Sequence, residues 1–217
     1  MALPALDPHA GQPVLRQGPS PSEARLSVIL LHGRGDSAEG ILGLAQSLES
    51  SDVAYLAPQA AGYTWYPYSF LAPLEENEPH LSSALRVVGG LVNGLGRQGI
   101  PPERIVIMGF SQGACLSLES AARHARKYAG IAALSGALIG PPDTPRDYHG
   151  SFDGMPVFLG CSDVDAHIPL ERVEESADVF SRLGATVDKR IYPGMGHTIS
   201  ADELTAVNAL LTRRPVR

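Results

Sequence analysis

The chain has 217 residues, 44% of them hydrophobic, and a net charge of −6, so it can bury one good core and is expected to form a single domain over residues 1–217. With 17 Lys plus Arg against 23 Asp plus Glu, and only Arg213-Arg214 as a basic run, nucleic-acid binding has no electrostatic footprint here. No apolar run approaches the roughly 20 residues of a membrane span, and the N-terminus lacks a leader pattern, so the expectation is a cytoplasmic protein without stable membrane insertion.

Residues 1–23 are rich in Pro, Ala and Gly, which predicts an extended arm or an edge strand around Pro13-Val14-Leu15-Arg16 that carries little chemistry. Leu26 to Leu31 is a continuous apolar run, as expected of a parallel strand buried on both faces, and it opens into the glycine-rich loop His32-Gly33-Arg34-Gly35-Asp36-Ser37. Such a loop at a strand's C-terminal end is where α/β folds place ligands. Asp36 or Ser37 is expected to cap a helix from Ala38 to about Glu49. Val53 to Ala57 reads as the next strand, stopped by Pro58. From Gln59 to Pro79 there is no clear period, yet Tyr63, Trp65, Tyr66, Tyr68 and Phe70 are concentrated there. Long ordered loops are commonly functional, and this one is open to three readings: a lid, a substrate wall, or the contact of a homodimer.

An amphipathic helix is predicted from about Pro79 to Gly96, and Ile100-Pro101-Pro102-Glu103 breaks it. The stretch that follows, Arg104-Ile105-Val106-Ile107-Met108-Gly109-Phe110-Ser111-Gln112-Gly113-Ala114, is a β-like run, a glycine-flanked serine and then a helical pattern. A G-x-S-x-G turn between strand and helix holds its serine in a strained backbone with the hydroxyl exposed, and side chains at Gly109 and Gly113 would collide. The pentapeptide alone is weakly specific. After it come a helix of small residues, a strand over Tyr128–Leu134, a loop from Gly140 to Gly154, a strand over Met155–Gly160, a helix over Leu170–Leu183, a strand over Thr186–Tyr192 and a helix over Ser200–Leu211. The alternation implies a three-layer α/β sandwich with a mostly parallel central sheet, right-handed crossovers and no large cap domain. Cys115 and Cys161 do not make a disulfide framework and are expected as reduced core residues.

Serine needs a base to take its proton, and the base needs an acid to hold its tautomer. Both are expected downstream of Ser111, in loops that follow strands. His197 stands in a Pro-Gly-Met-Gly-His loop past the last strand, and Asp163 and Asp165 both stand in the loop after the preceding one. The developing oxyanion needs two donors: the N–H of Gln112 by the geometry of the turn, and one from the His32-Gly33-Arg34 loop, expected at Arg34. Phosphate binding by that loop has no support from a P-loop Lys-Ser/Thr or a G-x-G-x-x-G pattern. No metal or organic cofactor is called for.

With these residues in place, the chain resembles the carboxylesterase, acyl-protein thioesterase and lysophospholipase family of small α/β-hydrolases. LHGRGD, GIPPERI leading into GFSQGA, SDVDAHIP and GMGH match that family's motifs in order from Leu26 onward. The resemblance implies Ser111 as nucleophile, Asp165 rather than Asp163 as the acid, His197 as base, and the amides of Arg34 and Gln112 as the oxyanion hole. It further implies substrate contacts from Trp65, Tyr66, Phe70 and Ile168, and hydrolysis of small-molecule carboxylic esters or thioesters through an acyl-enzyme. A lactone or dienelactone hydrolase is the alternative chemistry, and a binding protein that retains the fold is the alternative class. One departure stands out: Arg34 occupies a position that is usually leucine in the thioesterase branch. Its side chain is expected either to shorten and polarise the acyl site or to point outward, leaving only its amide in use.

Overall fold

The computed structural model describes residues 7–48 and 51–213. The first six residues of the arm, the expected helix end at Glu49, and Arg214 lie outside them. In chain order the elements are β1 (Val14–Gln17), β2 (Leu26–Leu31), α1 (Ala38–Ala45), β3 (Val53–Pro58), α2 (His80–Arg97), β4 (Ile105–Phe110), α3 (Gln112–Arg123), β5 (Gly130–Leu134), β6 (Pro156–Ser162), α4 (Leu170–Arg182), β7 (Thr186–Tyr192) and α5 (Ala201–Thr212). One seven-stranded sheet runs β1-β3-β2-β4-β5-β6-β7. Only β1 is antiparallel to its neighbour; all other pairs are parallel. This is the three-layer, mostly parallel sandwich that the alternation of elements predicts.

The unbroken apolar runs are explained by the pleat, which sends successive side chains to opposite faces of a sheet covered on both. Ile29, Leu31, Ile105, Ile107, Ile131 and Ala133 face a core shared with α2, α3 and α4. Their alternates Val28, Leu30, Val106, Met108, Ala132 and Leu134 face a second core beneath α1 and α5. Each fully buried Val, Leu, Ile or Met side chain among these contributes about 1.5–3 kcal/mol. At the β7 edge, Arg190 pairs with Asp188 and Asp202, charges that discourage edge-to-edge association.

The register sets up the site. Leu31 pairs with Gly109, and Gly109 with Ala133, so the C-terminal ends of β2, β4 and β5 finish side by side. Of the two expected caps for α1, Ser37 takes the role, its hydroxyl accepting from the Gly40 N–H at 3.0 Å. Asp36 instead accepts from the Ser37 N–H at 2.7 Å. β5 begins at Gly130, two residues later than the apolar pattern suggests, because the Ala129 N–H bonds to Pro102 O and Ile105 O outside the ladder.

The arm does more than expected. His9 is buried, its Nδ1 accepting from the Ala61 N–H at 3.0 Å and its Nε2 2.9 Å from the Trp65 carbonyl. It therefore pins the aromatic loop from behind.

Candidate active site

Ser111 follows β4 with φ 54° and ψ −119°, a conformation that costs a non-glycine residue of order 1–3 kcal/mol. The turn is enforced from below. A Cβ on Gly113 would lie 2.1 Å from Leu31 O, and one on Gly109 would lie 2.5 Å from the Gly113 carbonyl carbon. Only glycines let α3 press onto the end of β2, and that contact pushes the serine up out of the sheet.

His197 Nε2 lies 2.8 Å from Ser111 Oγ, and His197 Nδ1 lies 2.7 Å from Asp165 Oδ2. A carboxylate oxygen can only accept, so Nδ1 carries the proton and the Nε2 lone pair faces the serine hydroxyl. Asp165 Oδ1 accepts from the amides of His167 at 2.8 Å and Ile168 at 3.1 Å. Burial pushes the Asp165 carboxyl up, but the His197 hydrogen bond and these two amides outweigh it and hold the group below the usual carboxylate range. The acid loop and the histidine loop are tied together by Asp163, which accepts from the Gly194 N–H at 2.8 Å. Of the two candidate aspartates, then, Asp165 contacts the imidazole and Asp163 staples the loops. Just beyond His197, the Ser200–Glu203 capping box locks the start of α5.

Arg34, Phe110, Ser111, Gln112 and His197 line one cleft of about 480 Å³. Its apolar lining includes Tyr66, Phe70, Cys115 and Ile168. The Arg34 and Gln112 N–H groups have no protein acceptor among the described residues, which is the state required of donors awaiting a developing oxyanion. Of the four expected substrate contacts, Tyr66, Phe70 and Ile168 reach the cleft and Trp65 does not. Trp65 is wholly buried, with its indole N–H donating to His32 O at 2.9 Å and its ring against His32 and His9. A buried indole must find an acceptor, and the nearest lies behind the loop. The loop thus lines one side of the cleft through Tyr66 to Phe70, while Tyr63 and Tyr68 remain exposed.

Several side chains were not legible from sequence. The Gln112 carboxamide accepts from the Trp65 N–H at 2.8 Å and the Thr64 hydroxyl at 3.2 Å and donates to Tyr66 O at 2.8 Å, clamping the wall to the serine turn. The one available signal was an amide side chain directly after the serine, at the first position of a helix whose next four residues are Gly, Ala, Cys and Leu. Phe110 packs 5.0 Å and His167 4.8 Å, centroid to centroid, from the His197 ring. Cys115 lies at the cleft, but burial pushes its thiol up to about 12. It is therefore protonated and inert at neutral pH, which argues against a cysteine nucleophile here. Both cysteines are free and buried, as expected.

His32 opens the glycine-rich loop that carries Arg34. Its Nε2 accepts from the Ala60 N–H at 3.1 Å, so its Nδ1–H donates to Gly33 O at 2.7 Å. By the same logic His9 donates through Nε2. Burial, the largest effect, lowers the pKa of both imidazoles. The unfolded chain then binds protons that the folded chain refuses, so stability present above about pH 6.5 is lost as pH falls below it. Thermal denaturation should give a falling Tm between pH 7 and 5, and a His9→Asn variant should fall less steeply; a Tm independent of pH across that range would contradict this account.

The sequence matches the phospholipase/carboxylesterase family over residues 18–213. A crystal structure of a phospholipase/carboxylesterase from Dyadobacter fermentans superposes with a TM-score of 0.91 at 44% identity, covering 96% of this chain and 100% of that one. Acyl-protein thioesterase 1 of Gibberella zeae is 27% identical, covering 90% of this chain and 93% of its own. Carboxylesterase SOBER1 of Arabidopsis thaliana is 26% identical, covering 88% of this chain and 91% of its own. The family match spans the strand β4 and the helix α3 that bracket the serine turn and the two loops that meet it, and the chain belongs to the phospholipase/carboxylesterase family of α/β-hydrolase-fold ester hydrolases.

Proposed function

We propose that the protein is a serine carboxylesterase acting on small-molecule esters, and on thioesters of similar size, through an acyl-enzyme formed on Ser111. The observation that carries this reading is the Ser111–His197–Asp165 hydrogen-bonded chain at 2.8 and 2.7 Å. Ser111 Oγ attacks the scissile carbonyl carbon while its proton passes to His197 Nε2, and ionised Asp165 stabilises the imidazolium. The tetrahedral oxyanion accepts from the N–H groups of Arg34 and Gln112. Collapse breaks the bond to the leaving oxygen or sulfur, which takes the proton from His197. Water then gives His197 a proton and attacks the acyl carbon, and collapse of this second tetrahedral intermediate breaks the bond to Ser111 Oγ, which takes the proton back from His197 as the acid leaves.

The charged Arg34 side chain lining the cleft beside Tyr66, Phe70 and Ile168 favours small or medium acyl groups over long fatty chains, because a long apolar chain would desolvate it. The names of the relatives, a thioesterase and a carboxylesterase, support both leaving-group chemistries. A fluorophosphonate probe should label the protein once, with the adduct mapped by mass spectrometry to the peptide containing Ser111. Absence of that adduct would favour a binding role for the fold. A p-nitrophenyl ester series run alongside should peak at short or medium acyl length.

A further inference from the structure

Arg34 is set apart from the other described arginines by its place, in the cleft that holds Ser111 and His197. Arg25, Arg86, Arg123, Arg146, Arg172 and Arg190 are each matched with a carboxylate, whereas Arg16, Arg97, Arg104, Arg126, Arg182 and Arg213 have none within salt-bridge reach among the described residues and do not line the cleft. Arg34 lines the cleft, is exposed, and has no acidic partner within salt-bridge reach among the described residues. Its guanidinium is nonetheless held in place: Nη1 donates to Pro67 O at 2.7 Å and Nη2 to Tyr68 O at 2.5 Å. Of the two expected directions for its side chain, it takes the one toward the cleft rather than the one pointing away from the site. It bridges the oxyanion loop to the aromatic wall, and neutral carbonyls leave its charge uncompensated and the rest of its donor fork unused.

The same cleft holds a second unmet donor. Tyr66 is buried, and its hydroxyl has no hydrogen-bonding oxygen or nitrogen among the described residues, with only the weak Cys115 thiol nearby. A buried hydroxyl without a partner is costly, and here it belongs to a residue that lines the cleft. The Asp36 carboxylate also lines the cleft but is turned to the Ser37 N–H.

Resting on the hydrolase reading above, we propose that the preferred substrate is an ester that also carries a free carboxylate, which is received by the Arg34 guanidinium, with the Tyr66 hydroxyl as a further donor. A carboxylate fits better than a phosphate dianion because the cleft offers one guanidinium, no lysine, and one carboxylate of its own. The carboxylate would gain a charge-assisted bond that a neutral ester cannot make, and a substrate of this kind would give the uncompensated guanidinium its missing partner.

The test is calorimetric binding in the Ser111→Ala background, with two esters and their neutral counterparts. Monomethyl glutarate carries its carboxylate on the acyl side and is set against dimethyl glutarate; O-acetylglycolate carries it on the alcohol side and is set against its methyl ester. At least one anion should bind about tenfold or more tighter than its neutral partner. Arg34→Gln, which keeps an N–H donor but no charge, should abolish that preference, and Arg34→Lys should retain part of it, which a role limited to bracing the 67–68 segment would not produce. Equal binding of anionic and neutral esters, or a preference unchanged in Arg34→Gln, would overturn the proposal. Selective binding without turnover by the protein carrying Ser111 would instead fault the hydrolysis reading, whereas turnover without selective binding would overturn the anion site alone.

Discussion

Replacing Ser111 with Ala should lower kcat/KM for p-nitrophenyl acetate by about 10⁴–10⁶-fold, the range expected when a nucleophile acting as a unit with its base is removed. The substitution deletes one oxygen and leaves the Asp165–His197 hydrogen bond and both unpaired amides where they are. The residual rate should therefore come from the oxyanion donors and the cleft. Because Ser111 and His197 share one proton transfer, His197→Ala should cost a comparable factor, and the double variant should be little worse than either single one. Asp165→Asn should cost about 10⁴-fold, since an amide nitrogen beside Nδ1 favours the tautomer whose Nε2–H points at the serine. Tm should be almost unchanged in Ser111→Ala, because the φ of 54° is imposed by the turn on either residue. A Ser111→Ala protein retaining more than about 1% of the activity would remove the serine from the chemistry.

The second large effect concerns stability. Gly113→Ala should destabilise the fold by about 3 kcal/mol or more, at or above the usual cost of overpacking, with Tm lowered by roughly 6–12 °C for a chain of this size. The added Cβ would stand 2.1 Å from Leu31 O and 2.6 Å from His32 O. Both are backbone atoms; the first belongs to β2, which is paired on both sides, and the second begins the loop that carries Arg34. No rotamer relieves such a contact, so α3 must lift from the sheet and carry Ser111 with it. Gly90→Ala in α2 is the matching control: nothing lies within 4 Å of the added Cβ, and the change should stabilise by about 0.5–1 kcal/mol because alanine loses less freedom in a helix. Thermal denaturation of the two variants side by side tests the argument, and equal Tm values would refute it.

The wall of the cleft depends on polar clamps at its back as much as on the aromatic side chains that face the ligand. Gln112, His9 and His32 together fix segment 59–66 through backbone N–H and C=O groups. Each clamp satisfies amides that a loop of this length would otherwise leave unpaired away from water. Sequence spacing cannot reveal such partners, since Gln112 and Trp65 are 47 positions apart and His9 and Trp65 are 56 apart.

By itself the sequence determined the elements and their order, because burial on both faces writes continuous apolar runs into β2, β4 and β5, and helical spacing into α2 and α4. It also determined which residues could do acyl chemistry: Gly109 and Gly113 around Ser111, His197 after the last strand, and an aspartate in the preceding loop. These are local consequences of backbone sterics and of where loops leave a parallel sheet. Tertiary structure alone decided the rest. It gave Asp163 its place stapling the acid loop to the histidine loop, sent Trp65 behind the wall while leaving Tyr66 in the cleft, gave the Gln112 side chain its clamp, and laid Arg34 across to the 67–68 segment with its charge uncompensated. Which way a side chain turns from a loop depends on the donors and acceptors that distant segments bring to it, and those meet only once the sheet has aligned the ends of its strands.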